Sequence, residues 1–181
     1  MASFAERVMG AAKLDVNVFE EVESDTTATG QAMVVVLLSS LAAGIGAMQS
    51  GVLYGLVFTT IAALIGWFIW AFLTYFIGTK LLPEPQTKSD VGELLRVIGF
   101  ANAPGVLRIL GVIPLIGGLI SFAIAIWILV AVVIAVRQAL DYKSTGRAVL
   151  VCLIGWLVFM ILSMILALMG LGGMQLSGGA V

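Results

Sequence analysis

TTATGQAMVVVLLSSLAAGIGAMQSGVLYGLVFTTIAALIGWFIWAFLTYFIGT, residues 26–79, contains no Asp, Glu, Lys or Arg. A helix needs about 20 apolar residues to cross the hydrocarbon core of a bilayer. This run of 54 residues is therefore too long for one crossing and long enough for two. Residues 109–136 and 148–181 are also free of charge, and the few charged residues are bunched between these stretches. The pattern predicts an all-α polytopic transmembrane bundle of five helices, preceded by short amphipathic cytoplasmic helices. Its organisation reads as an N-terminal tail (1–28), a membrane domain (29–170) and a flexible external tail (171–181), with spans at about 29–49, 53–79, 91–110, 114–137 and 146–169.

Composition agrees with lipid as the solvent. The chain is 61% hydrophobic and 10% charged, whereas the surface of a soluble domain draws on roughly a quarter of its residues being charged. A net charge of −1 creates no basic field for nucleic acid, and no nucleic-acid partner is expected. Histidine is absent and Cys152 is the one cysteine. That argues against disulfides, Cys/His metal sites and histidine-assisted nucleophilic catalysis, so neither enzymatic activity nor a metal or other cofactor is expected. Cys152, in an apolar segment, reads as a small hydrophobe. Residues 1–25 carry eight charges and no apolar h-region, so no cleavable signal peptide is expected.

Two capping boxes, Ser3 with Glu6 and Asn17 with Glu20, predict two short helices in the tail. Phe4, Val8, Ala11 and Ala12 share a face of the first, and Val18, Phe19 and Val22 a face of the second. The tail holds six acidic residues against Arg7 and Lys13. Anionic lipid would repel it, so docking on protein is expected over lying on the bilayer. Gln49-Ser50-Gly51 marks a turn between the first two spans, and Pro83-Glu84-Pro85 ends the second. Asp90 with Glu93 caps the third, which should kink at Pro104 and run inside the bundle, where the carbonyls freed by the proline find partners. Pro114 suits the first turn of the fourth span, and Ser144 or Thr145 caps the fifth.

With five spans, one side receives Arg7, Lys13, Lys80, Lys88, Arg96, Arg137, Lys143 and Arg147, and the other receives Arg108 alone. The positive-inside rule then places the N-terminus in the cytoplasm and the C-terminus outside, in what reads as a bacterial cytoplasmic membrane.

Two stretches carry a family resemblance: Gly99-Phe100-Ala101-Asn102-Ala103-Pro104 in the third span, and Val136-Arg137-Gln138-Ala139-Leu140 with Ser144-Thr145-Gly146-Arg147-Ala148 between the last two. In this order the chain resembles the Yip family (Ypt/Rab-interacting proteins), from residue 29 to about 170. The resemblance implies a five-span fold with a cytoplasmic N-terminus. Eukaryotic members are associated with small GTPases of vesicle traffic, with membrane shaping and with assembly among themselves. The Asp-Leu-Tyr-Gly-Pro type segment those proteins place before the first span is missing here, and the chain looks more like the bacterial branch. Small-GTPase binding is not expected of it.

Small residues repeat along the first span as Ser39-Ala43-Ala47, Ser40-Gly44 and Ala42-Gly46-Ser50. Such rows let membrane helices approach closely, and Ser39, Ser40, Ala43, Gly44 and Ala47 form a candidate packing interface, within the bundle or with a second protein. Gly117, Gly118 and Ser121 on the fourth span read alike. Arg108 is the one charge near membrane depth, with no acidic residue in any span to pair with it. Snorkelling to the headgroups is the simpler account, and a lipid-phosphate site the sharper one. Asn102, beside Pro104, suits a structural role in bonding a freed carbonyl. Trp67, Trp70, Trp127 and Trp156 read as packing bulk. The favoured function is a noncatalytic membrane scaffold contacting lipids and other membrane proteins, or copies of itself. The rivals are an accessory subunit of a respiratory or photosynthetic complex and, less favoured, a small transporter or channel.

Overall fold

The computed structural model describes residues 2–46 and 53–166. Its helices are α1 (Phe4–Ala12), α2 (Val16–Ser24), α3 (Ala28–Gly46), α4 (Leu53–Phe76), α5 (Val91–Ala101), α6 (Gly117–Ala139) and α7 (Thr145–Leu166). A π-helical turn, Ile77–Leu81, extends α4, and a 3-10 segment, Ala103–Val112, extends α5. The turn expected at residues 49–51, Ala47 and the C-terminal tail lie outside the described residues.

The expected capping boxes at Ser3/Glu6 and Asp90/Glu93 both form, each with the side chain and the reciprocal carboxylate in place. The second box does not form as expected: α2 starts from Asp15, whose Oδ1 accepts from the backbone N–H of Asn17 at 3.0 Å and from its side-chain amide at 2.9 Å. The cause is Leu14, at φ 64°, which reverses the chain one residue earlier and leaves Asp15 extended in the cap position. Pro104, which lacks an N–H and crowds the carbonyl four residues back, ends α5 at Ala101, and the span continues as 3-10 helix. Pro114 does not open the fourth span. Ile116 N donates to the Pro114 carbonyl at 2.9 Å and Leu115 sits at φ 70°, so a tight turn intervenes and α6 begins at Gly117.

Close approaches between backbones organise the bundle. A Cβ on Gly99 would sit 2.6 Å from Ala32 Cβ, and one on Gly105 would overlap Ser39 Oγ. α3 therefore packs against α5 and its 3-10 extension along most of its length. Tyr142 fixes the π-helical end of α4, its hydroxyl donating toward the carbonyls of Gly78 at 2.9 Å and Leu82 at 2.7 Å.

The tail helices form a hairpin against α5 and α6, and α6 is most buried on that side. Ala131, Val132, Ala135, Val136 and Ala139 of α6 are buried, whereas Leu119 and Phe122 at its other end are 71% and 64% exposed. Trp127 and Trp156 are exposed on the lipid-facing surface, so neither serves as interior bulk; Trp70 does pack, edge-on to Phe159 with ring centroids 6.3 Å apart.

Candidate functional site

The hairpin-capped face is where most polar side chains converge. α1 lays Phe4 edge-on to Phe100, with centroids 6.5 Å apart, and this apolar docking carries Arg7 inward until 2% of its side chain is exposed. A buried guanidinium needs partners on all sides. Arg7 donates to Glu21 at 2.8 Å, to Asp25 at 2.7 Å and to the Gln31 side chain at 3.1 Å, tying α1 to α2 and to the first turn of α3. Arg7 holds the Glu21 carboxyl below the usual carboxylate range, and the Thr27 hydroxyl, then Arg7, does the same for Asp25.

Arg96 does the matching work from α5. Buried, it donates from Nε to the carbonyls of Val22 and Glu23 at 3.0 Å, and from Nη2 to Glu23. These are C-terminal carbonyls of α2, where orphan acceptors and the negative end of the helix dipole favour a cation. Gln138 donates to Glu20 at 2.9 Å, and the Trp127 indole to the Ala12 carbonyl at 2.9 Å. Trp127 stands ten residues before Arg137, about 15 Å along α6 at 1.5 Å per residue. The tip of the hairpin thus reaches roughly halfway along α6.

A second layer joins the connectors. Glu84 accepts from the backbone N–H of Lys143 at 3.1 Å and lies 3.5 Å from Arg147, which also donates to the Pro83 carbonyl at 2.9 Å. Gln86 bridges to the Asp141 carbonyl at 2.8 Å. The segment 136–148, which carried part of the family resemblance, is a clamp between α4, α6 and α7.

Glu23 is the responsive group of this face. Burial, then repulsion from Glu93, Asp141 and Glu20, pushes its carboxyl up to about 7 despite the opposing pull of Arg96. In an undocked hairpin it would titrate near 4.5. The docked state therefore has its full stability below that value and loses part of it as pH rises toward and through 7. Glu21 and Asp25, held low, change over beneath this window. The melting temperature of the purified protein is expected to fall between pH 5.5 and pH 8 by the equivalent of about 1–3 kcal/mol. Glu23→Gln should flatten the profile, and an unchanged slope would contradict this assignment.

The residues singled out from sequence fall in three places. Ser39 is buried against Gly105, Ser40 is half-buried with its hydroxyl on the Leu37 carbonyl at 2.9 Å, and Ala43 and Gly44 are half-buried on the same helix. Asn102 donates its side-chain amide to the Ile98 carbonyl at 2.8 Å, beside buried Pro104. Arg108 lies at the end of the bundle opposite the hairpin, where it shares a cavity with Ala43 and Gly46 of α3. Arg7 and Arg96 entered the sequence reading only as orienting cations. The available signal for Arg96 was its position among Leu94, Leu95, Val97 and Ile98; nothing local marks Arg7.

Among the described residues, five helices are long and apolar enough to cross a bilayer: Ala28–Gly46, Thr60–Leu81, Val91–Val112, Gly117–Ala139 and Thr145–Ile165. With the short helices that precede them, they define a polytopic integral membrane protein. The chain belongs to the Yip1 domain family, whose model matches residues 16–167. The match includes α2 and all five spans and begins after α1, which brings Arg7. No curated protein and no solved structure matches the chain.

Proposed function

We propose that this protein is a noncatalytic membrane scaffold that presents its hairpin-capped face to the cytoplasm and works through contacts with neighbouring membrane proteins and lipid. The observation that carries this reading is the charge network around Arg7 and Arg96. A buried ionic network adds little net stability compared with an apolar core, so its use here points to fixing the hairpin in one pose as a rigid platform. The outer side of that platform mixes exposed Glu20, Ser24, Asp141 and Lys143, a surface suited to recognising a protein. Ser39 against Gly105 favours giving the small-residue row of α3 to packing within the bundle.

Charge supports this orientation even when the buried cations are left out of the count. Setting aside Arg7 and Arg96, which are buried and paired, and Lys13 at the hairpin tip leaves Lys80, Lys88, Arg137, Lys143 and Arg147 on the capped side against Arg108 on the other. In intact cells, Lys143→Cys should react with a membrane-impermeant thiol reagent only after lysis, and Leu115→Cys directly. The reverse pattern would refute the orientation. A photo-crosslinking residue at Ser24 or Lys143 should yield discrete protein adducts in native membranes, while one at lipid-facing Leu119 should not. Equal labelling at the three positions would refute the scaffold reading.

A further inference from the structure

We propose that Arg108 and the cavity beside it form a binding site for a phosphate group, that of a phospholipid headgroup, on the membrane face opposite the hairpin. The cavity, about 360 Å³, is lined by Ala43 and Gly46 of α3, Arg108 and Gly111 of the 3-10 segment, and Gly117, Gly118 and Ser121 of α6. Two donors in it have no partner among the described residues: the half-buried guanidinium of Arg108 makes no ion pair or hydrogen bond, and the hydroxyl of Ser121 makes none. No carboxylate lines the cavity. A cation left unpaired in a membrane-spanning segment costs several kcal/mol unless something neutralises it. The other two buried arginines of this chain show how it treats a guanidinium with no anion to meet from outside, because each is saturated by its own acceptors.

Three features select phosphate. Arg108 lies level with the last described turn of α3 and the first turn of α6, where a span meets the headgroups. Its planar fork matches two phosphate oxygens at once. The wall opens at Gly118, where a Cβ would meet nothing within 4 Å, while Gly46, Gly111 and Gly117 let α3, the 3-10 segment and α6 close around the cavity; Ile116, at the start of α6, offers the first-turn amides no competing side-chain acceptor. The helix start alone would not make a site; the two unpartnered donors facing one cavity do.

The test uses the full chain, stripped of lipid in detergent, with native mass spectrometry on addition of phosphatidylglycerol and, in a separate arm, thermal melting with inorganic phosphate. The wild type is expected to retain one phospholipid under collisional activation. Arg108→Gln should weaken that retention by roughly tenfold or more and Arg108→Lys should keep part of it, because a lysine supplies the charge without the fork. Gly118→Leu fills the cavity while leaving Arg108 in place, and its open surroundings keep the variant folded even if Arg108→Gln is not. Stabilisation by inorganic phosphate that vanishes in both variants, without a retained lipid, would keep the anion site and assign it to a soluble phosphate. Equal lipid retention in wild type, Arg108→Gln and Gly118→Leu, with no response to phosphate, would overturn the proposal.

Discussion

Gly99→Leu is expected to prevent accumulation of the folded bundle. At Gly99 a Cβ alone would come within 2.6 Å of Ala32 Cβ and 3.2 Å of the Ala32 Cα and carbonyl oxygen. The obstacle includes backbone, which cannot swing aside as a long side chain can. Overpacking of a buried site commonly costs 1–3 kcal/mol; here three further carbons beyond Cβ must enter between α3 and α5, so an effect of about 3 kcal/mol or more is expected. That is a large part of the 5–15 kcal/mol by which domains are typically stable. Gly30→Leu is the matched control, since nothing lies within 4 Å of its Cβ position. Yield and monodispersity in detergent should collapse for Gly99→Leu and persist for Gly30→Leu. Equal behaviour of the two would mean that α3 and α5 are not packed as described.

The second large effect is expected at Arg7. Removing one partner of a buried ion pair typically costs 3–5 kcal/mol, because the remaining charges keep their desolvation penalty. Arg7→Met leaves Glu21 and Asp25 facing each other, relieved in part because Glu21 is 31% exposed. A loss of about 3 kcal/mol is expected, the low end of that range. It should fall on the docking of the hairpin and leave the five spans folded. A spin-label pair on Ser24 and Lys143 would then show a broadened distance distribution while circular dichroism keeps its helical signal. Adding Glu21→Gln and Asp25→Asn to Arg7→Met should narrow the distribution again, since no unpaired charge remains. A narrow distribution in Arg7→Met alone would show that the apolar contacts of Phe4 and Phe100 suffice.

These two sites mark the boundary of what was legible in the sequence. The spans could be read because lipid excludes charge, and that constraint acts on every residue of residues 26–79 at once. Ser3/Glu6 and Asp90/Glu93 could be read because a cap is settled within four residues. Pro104 could be read because the missing donor is a property of the residue itself. Gly99 was visible as part of a family pattern, but its opposition to Ala32 depends on how two helices meet. The start of α2 was misplaced because Leu14 adopts a left-handed conformation that a leucine rarely visits, and Pro114 because it serves a turn before α6. Arg7 and Arg96 were the least legible. In an acidic tail and the first half of a span they look like orienting cations, while their partners lie 14 to 24 and 73 to 74 residues away. The capacity of Arg108 to meet a phosphate was partly legible, from its isolation among apolar residues; the glycine-lined cavity and the free Ser121 hydroxyl were not.

The hairpin packs into one half of the bundle, against α5 and α6. Met9, 54% exposed and on the flank of α1 near Val35 and Pro104, should face acyl chains, while Ser24 at the end of α2 should face water. A fluorophore on Met9→Cys in liposomes is therefore expected to be quenched more strongly by lipids carrying a nitroxide at mid-chain than by headgroup nitroxides, with the opposite order at Ser24→Cys. Strongest quenching of the Met9 position by headgroup nitroxides would place the hairpin on the bilayer surface and contradict the account.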